Sequence, residues 1–204
     1  MSQALGRQPH PSAVAGGTLL NAPLFHSMVE RMEDGERHVV LDLGPPQAGT
    51  VALFGAYRCR LEIADLAANL NDIDQDLPAR QLQASIDRLL PEQRPECADL
   101  VLCWDLWNYL SRPALKALMK CVAKRSKKGT LVHALVVYAE RQMPVIPDRY
   151  VPIDDHSLQA VALSQEMRAA PRYSPEDLSQ CLPGYHLERA MLLRNGMQEF
   201  LFRR

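Results

Sequence analysis

HVVLDLGPPQAG, His38–Gly49, is the stretch whose reading decides the fold. Its first half is an apolar run of strand length ending in Asp42, and Gly44 follows where a strand would turn into a helix. Val39–Leu43 is continuously apolar, as expected of a parallel-sheet strand covered on both faces. A turn that cradles a nucleotide carries further glycines, so that bare backbone can approach the ligand. Here Pro45 and Pro46 stand in that turn, and each lacks a backbone N–H and fixes φ. The stretch therefore has the layout of a cofactor-binding turn with two of its donors removed.

Outward from it, strand and helix signals alternate. Upstream, Asn21 reads as an N-cap, Phe25, Met28, Val29 and Met32 share a helical face, and Gly35 is a stop. Residues 1 to about 20, with Pro9, Pro11, Gly16 and Gly17, read as a mobile arm, which leaves 21–204 as a single domain. Downstream, Thr50–Tyr57 reads as a short helix and Arg60–Asp65 as a second strand. Leu82, Ile86, Leu89 and Leu90 form a helical stripe closed by Pro91. Leu100–Cys103 is a third strand, and Ser111 caps a helix whose Leu115, Leu118, Met119 and Val122 share a face. Leu131–Tyr138 is a fourth strand. Arg141–Ala170 reads as irregular, with a short helix around Leu158–Met167. Ser174-Pro175-Glu176-Asp177 is a strong helix start. Leu187–Leu193 and Met197–Phe202 flank Asn195-Gly196, which predicts a hairpin with a type I′ turn. The sum is an α/β fold, a three-layer Rossmann-like sandwich with a mostly parallel sheet and a C-terminal antiparallel hairpin.

Composition narrows the function classes. The 204 residues are 47% hydrophobic and 23% charged, enough to bury a core, and the formal charge of −1 gives no pull toward nucleic acid or an anionic membrane. The run Lys124–Lys128 reads as a solvated helix end, where cations complement the dipole. Five scattered cysteines without a CxxC pair fit reduced thiols. The N-terminus has no signal-peptide core, and the longest apolar run, Leu131–Ala139, is too short to span a bilayer. A cytoplasmic protein is expected. Asp154-Asp155-His156 has metal-compatible types, but adjacent residues rarely converge on one ion and no partner shows ligand spacing, so no metal is assigned. His133, inside an apolar strand, reads as a core histidine.

The order of elements resembles the class I S-adenosylmethionine-dependent methyltransferases, whose sheet also ends in an antiparallel hairpin. The family's first motif is an acidic residue followed by alternate glycines after the first strand. Asp42 and Gly44 match its opening, Pro46 and Ala48 occupy the next two glycine positions, and Gly49 comes one place late. Its second motif, an acidic residue ending the second strand, matches Asp65, about twenty residues past the first turn, which implies a ribose-binding carboxylate. ADLVLCWDLWNYL resembles the stretch lining the cofactor and substrate cleft. The resemblance thus implies Asp42, Gly44, Asp65, Trp104 and Asp105 at S-adenosylmethionine, and Asn108 and Tyr109 at the acceptor. Only about thirty-three residues separate Asp65 from the strand near Leu100, where a parallel crossover alone takes a dozen or more. The family's third strand is therefore expected to be missing or reduced.

Two functions stay open at this stage. One is an S-adenosylmethionine-binding methyltransferase of unspecified acceptor, in which alignment for in-line displacement matters more than an acid–base residue. No catalytic residue can be named for it. The other is a pseudo-methyltransferase acting as a protein-binding or regulatory subunit, whose unpaired sheet edge invites a partner or a second copy. A dinucleotide-binding reductase would need the same glycines and a hydride-transfer site that nothing here suggests.

Overall fold

Apolar residues two apart along each central strand feed two separate cores, one on each face of a sheet. The computed structural model describes residues 17–204. The chain runs β1 (Thr18–Asn21), α1 (Pro23–Val29), β2 (His38–Asp42), α2 (Ala48–Gly55), β3 (Cys59–Ile63), α3 (Ala79–Leu89), β4 (Ala98–Leu102), α4 (Arg112–Ala123) and β5 (Ser126–Val137). It continues through β6 (Gln142–Pro144), β7 (Arg149–Pro152), β8 (Ser157–Val161), β9 (Met167–Ala169), α5 (Pro175–Cys181), β10 (His186–Leu192) and β11 (Met197–Arg203).

The main sheet has the order β10-β11-β5-β4-β2-β3. β3, β2, β4 and β5 are parallel, and β11 and β10 add antiparallel strands. Leu41, Val101, Val132, Phe200 and Phe202 face α3, α4 and α5. Val40, Leu100, Leu102, Leu135 and Leu201 face the opposite way, toward α1, Phe54 of α2, and a small antiparallel sheet ordered β1-β8-β7. Between β3 and β4 the chain forms a turn and α3 but no strand, so β3 is the sheet's edge. That edge is not bare. Arg60 pairs with Glu62 and Glu96, Arg94 with Glu62, and Arg37 with Glu96, the kind of charge that discourages another strand from adding. The opposite edge, β10, exposes Leu187, Met191 and Leu192.

Several local signals behave as the sequence predicts. Ser111 accepts from Ala114 N–H, and Ser174 and Asp177 form a reciprocal capping box. Gly35 closes the first helical stretch at φ 79°. Others need correction. Most of the expected N-terminal arm lies outside the described residues, but its end, Thr18–Leu20, is strand, paired with Leu158–Ala160. Asn21 is not a cap: α1 begins at Pro23, and its free N–H groups on Leu24 and Phe25 donate to Glu199 at 3.0 and 2.7 Å. Arg141–Ala170 contains β6–β9 and no helix: β7 and β8 form a hairpin, β8 also pairs with the distant β1, and β6 pairs with β9. The hairpin forms, but not through a type I′ turn, which needs positive φ at both central residues. Gly196 N–H donates to Leu193 O, and within this turn only Gly196 has positive φ. The turn is centred on Arg194-Asn195, with glycine supplying the left-handed exit.

Candidate functional site

In an open parallel sheet, ligands bind beyond the carboxyl ends of the strands. β2 and β4 end side by side here, and Asp42, Gly44, Trp104 and Asp105 gather around those ends, while Asp65 lies past β3 and Tyr109 reaches the β6–β9 segment. Asp42 is the last residue of β2 and is fully buried. Its Oδ1 accepts from Gly44 N–H at 2.8 Å and from the Trp104 indole N–H at 2.6 Å. Burial pushes its carboxyl up to about 6, against the pull of those two donors. Its Oδ2 has no hydrogen-bond partner.

Trp104 follows β4 with φ 48°, a left-handed conformation uncommon for a bulky side chain. The indole lies over the glycine turn: a methyl group placed on Gly44 would sit 2.5 Å from Trp104 Cδ1. Trp104 also stacks on Tyr150 of β7, ring centroids 6.0 Å apart and planes 4° from parallel. Gly49 is used in the same way, since a methyl there would lie 2.5 Å from Pro152 O at the end of β7. The two glycines of this turn admit close neighbours, and those neighbours are the protein's own side chain and backbone.

Asp105 is buried beside them, and its Oδ2 accepts from Asp148 N–H at 3.1 Å. Burial, helped by the nearby Asp148 carboxylate, pushes the Asp105 carboxyl up to about 8. Burial likewise raises Asp148, whose Oδ1 is unpartnered, and holds the Tyr150 phenol well above its usual value. Asn108 is absorbed into the backbone: its amide donates to Asp105 O and Leu135 O, and its carbonyl accepts from Val137 N–H. Tyr109 O–H reaches Pro144 O and Ile146 O and so ties down the start of the β6–β9 segment. Asp65, two residues past β3 with φ 44°, accepts from Ala68 N–H at 3.3 Å and caps its own turn.

The space left is small. Gly44, Trp104, Asp105, Asp148 and Tyr150 border a void of about 10 Å³, room for one water. A small-molecule site needs several hundred cubic ångströms. An open groove of about 540 Å³ lies between the start of α4 and Arg168, and of the residues singled out in the sequence Tyr109 lines it. Sequence reasoning missed Asp148 and Tyr150, which sit in a proline-rich stretch without periodicity.

The lysine-rich run is also internal in part. Lys124 and Arg125 pair with Asp87, and Lys127 pairs with Asp99. His133 is a core residue as expected, with Nε2 2.8 Å from Glu199 Oε1. Asp155 and His156 of the β7–β8 turn, two of the three metal-compatible residues noted in the sequence, are joined by His26 of α1, which no spacing had marked as their partner. No helix among the described residues is long and apolar enough to cross a membrane.

No protein-family model matches the chain, and no curated protein is detectably similar in sequence. Solved structures are similar in fold. One is an S-adenosylmethionine-dependent methyltransferase from Clostridium acetobutylicum, 11% identical, covering 90% of this chain and 92% of that one at a TM-score of 0.54. Another is the 1,6-didemethyltoxoflavin-N1-methyltransferase of Burkholderia thailandensis, solved with S-adenosylhomocysteine: 13% identical, 88% and 77% covered, TM-score 0.50. A third is the [4+2]-cyclase SpnF, 12% identical, 89% and 80% covered, TM-score 0.50. The chain has the class I S-adenosylmethionine-dependent methyltransferase fold. In the arrangement described, the residues at the carboxyl ends of β2 and β4 do not fit the cofactor, because Trp104 and Tyr150 fill the space beside the glycine turn.

Proposed function

We propose that this protein is a pseudo-methyltransferase, a methyltransferase-fold subunit that acts through its surface and does not transfer methyl groups. The observation that carries the reading is the indole of Trp104 on Gly44, hydrogen-bonded to Asp42 and backed by Tyr150. Pro45 and Pro46 support it by removing two N–H donors from the turn. The self-capping of Asp65 removes the need for a ribose partner. The apolar residues left exposed on β10, Leu187, Met191 and Leu192, are the surface through which a protein-binding or regulatory subunit of this shape would act.

A second reading retains S-adenosylmethionine. It is favoured by Asp42 Oδ2 and Asp148 Oδ1, which stay buried and unpartnered in the closed cleft. In it, the β6–β9 segment would lift, withdraw Tyr150 and expose Asp42, Gly44 and Asp105 to the cofactor, with Asn108 and Tyr109 nearer the acceptor.

Calorimetric titration with S-adenosylmethionine and S-adenosylhomocysteine separates the two. The pseudo-methyltransferase reading expects no saturable heat up to millimolar ligand. One-to-one binding at micromolar Kd, about −8 kcal/mol, would overturn it in favour of a segment that opens.

A further inference from the structure

The turn joining β7 to β8 is pinned to the first helix. His156 O accepts from Ala22 N–H at 2.8 Å, and Asp154 Oδ1 accepts from His156 and Ser157 N–H at 2.9 and 2.6 Å. With Asp154 occupied in shaping the turn, Asp155 and His156 face α1, where His26 meets them. The two imidazoles stack with centroids 4.0 Å apart and planes 13° from parallel. Asp155 bridges them, its Oδ1 2.5 Å from His156 Nδ1 and its Oδ2 3.4 Å from His26 Nδ1. One helical turn on, Glu30 Oε1 lies 3.4 Å from His26 Nε2.

From this geometry we propose that His26, Asp155 and His156 form a binding site for one divalent transition-metal ion of the zinc class, with Glu30 orienting His26. Three observations support it. One ligand atom from each of the three residues lies within 4.8 Å of the others. Tetrahedral zinc at about 2.0–2.1 Å per ligand brings ligand atoms to roughly 3.3 Å apart, and because imidazole lone pairs lie in the ring planes, the exposed His156 ring must swing out of its stack on His26 to join the ion. His26 Nδ1 is buried and has no hydrogen-bond partner, while Glu30 stands by the other ring nitrogen. A proton held on Nε2 by Glu30 leaves Nδ1 as the lone-pair nitrogen, the carboxylate–histidine–metal arrangement that fixes tautomer and ring orientation. Two imidazoles and a carboxylate suit zinc, cobalt or nickel rather than magnesium or calcium, which take oxygen donors. The fourth position falls to water.

The ion would join α1 to the segment that closes the cleft, since β7 carries Tyr150 from this turn to Trp104. The site stands whether or not that cleft takes a cofactor.

The test uses the full chain without a polyhistidine tag, stripped with chelator and titrated with Co²⁺ and then Zn²⁺. The expected result is one equivalent of Co²⁺ with intense tetrahedral visible bands, displaced by Zn²⁺. The melting midpoint should also rise by about 5 °C at a hundredfold excess of Zn²⁺ over its Kd. His156→Ala, at the most exposed ligand, leaves the metal-free melting midpoint unchanged and abolishes the bands. Glu30→Gln weakens Zn²⁺ on the order of 10-fold or more without changing stoichiometry. No binding up to high-micromolar Zn²⁺, or the same affinity and stoichiometry in His156→Ala, would overturn the site.

Discussion

Two buried carboxylates in the same sheet have opposite surroundings. Glu199, on β11, uses both oxygens: Oε2 accepts from Leu24 N–H, and Oε1 meets Phe25 N–H and His133 Nε2. It joins three elements and caps α1 in place of the absent side-chain cap. Asp42, on β2, has one oxygen paired and the other bare, and burial raises its carboxyl to about 6. The first carboxylate is built into the fold, and the second sits at a strand end where this fold accommodates ligands. There Trp104 satisfies one oxygen and leaves the other buried and bare. The proposed pseudo-methyltransferase reading rests on this difference: one oxygen of Asp42 is held by Gly44 and Trp104, and the other is bare.

The largest effect that would sharpen this contrast is at Glu199. Glu199→Leu leaves His133 and two helix N–H groups unpaired in the core and should lower unfolding stability by about 3–5 kcal/mol in urea titrations. Asp42→Asn keeps the acceptor for Gly44 and Trp104 while removing the charge, and near pH 7 it should change stability by less than about 1 kcal/mol. Equal losses at the two positions would erase the distinction.

A smaller effect is pH-dependent. Asp42 and Asp105 hold protons in the folded state up to about 6 and about 8, well above the unfolded value of about 3.9. Native protein therefore binds protons that the unfolded chain has released. The stability this provides is complete below about pH 4 and is lost as pH rises through 6 and then 8. Asp105→Asn removes the upper part of that decline, a slope of roughly 1.4 kcal/mol per pH unit between about pH 6 and pH 8. An unchanged slope in the variant would place the carboxyl in water.

The smallest effect is at Asp65, where Ala loses the turn cap and must adopt φ near the native 44°. Asp65→Ala should cost about 1 kcal/mol, read as a small drop in melting midpoint. A ribose ligand would instead leave stability nearly unchanged and remove cofactor affinity.

Much of the fold was legible because its signals are local. The apolar run Val39–Leu43, the capping serines Ser111 and Ser174, and the Asn195-Gly196 turn each declare an element within a few residues. Between Asp65 and Leu100 the chain is short, and it forms no strand between β3 and β4. The β6–β9 segment was not legible, since β7 and β8 acquire their identity from pairing with each other and with β1. The candidate site divides the same way. Asp42, Gly44, Trp104 and Asp105 were grouped through the family resemblance together with their places at strand ends. What covers them could not be: Tyr150 and Asp148 arrive from a stretch with no periodicity, and His26 meets His156 only after the small sheet folds against α1. Pro45 and Pro46 were the local sign that this turn lacks two of the donors a cofactor-binding turn supplies.

The most direct test of the filled cleft is the stability of Gly44→Ala in the absence of any ligand. The added methyl would sit 2.5 Å from Trp104 Cδ1, and the indole, stacked on Tyr150 and hydrogen-bonded to Asp42, would have to shift, so the account predicts a loss of about 1–3 kcal/mol in denaturant unfolding. Native stability in that variant, together with lost affinity for S-adenosylmethionine, would mean the glycine is bare for a cofactor, contradicting the account.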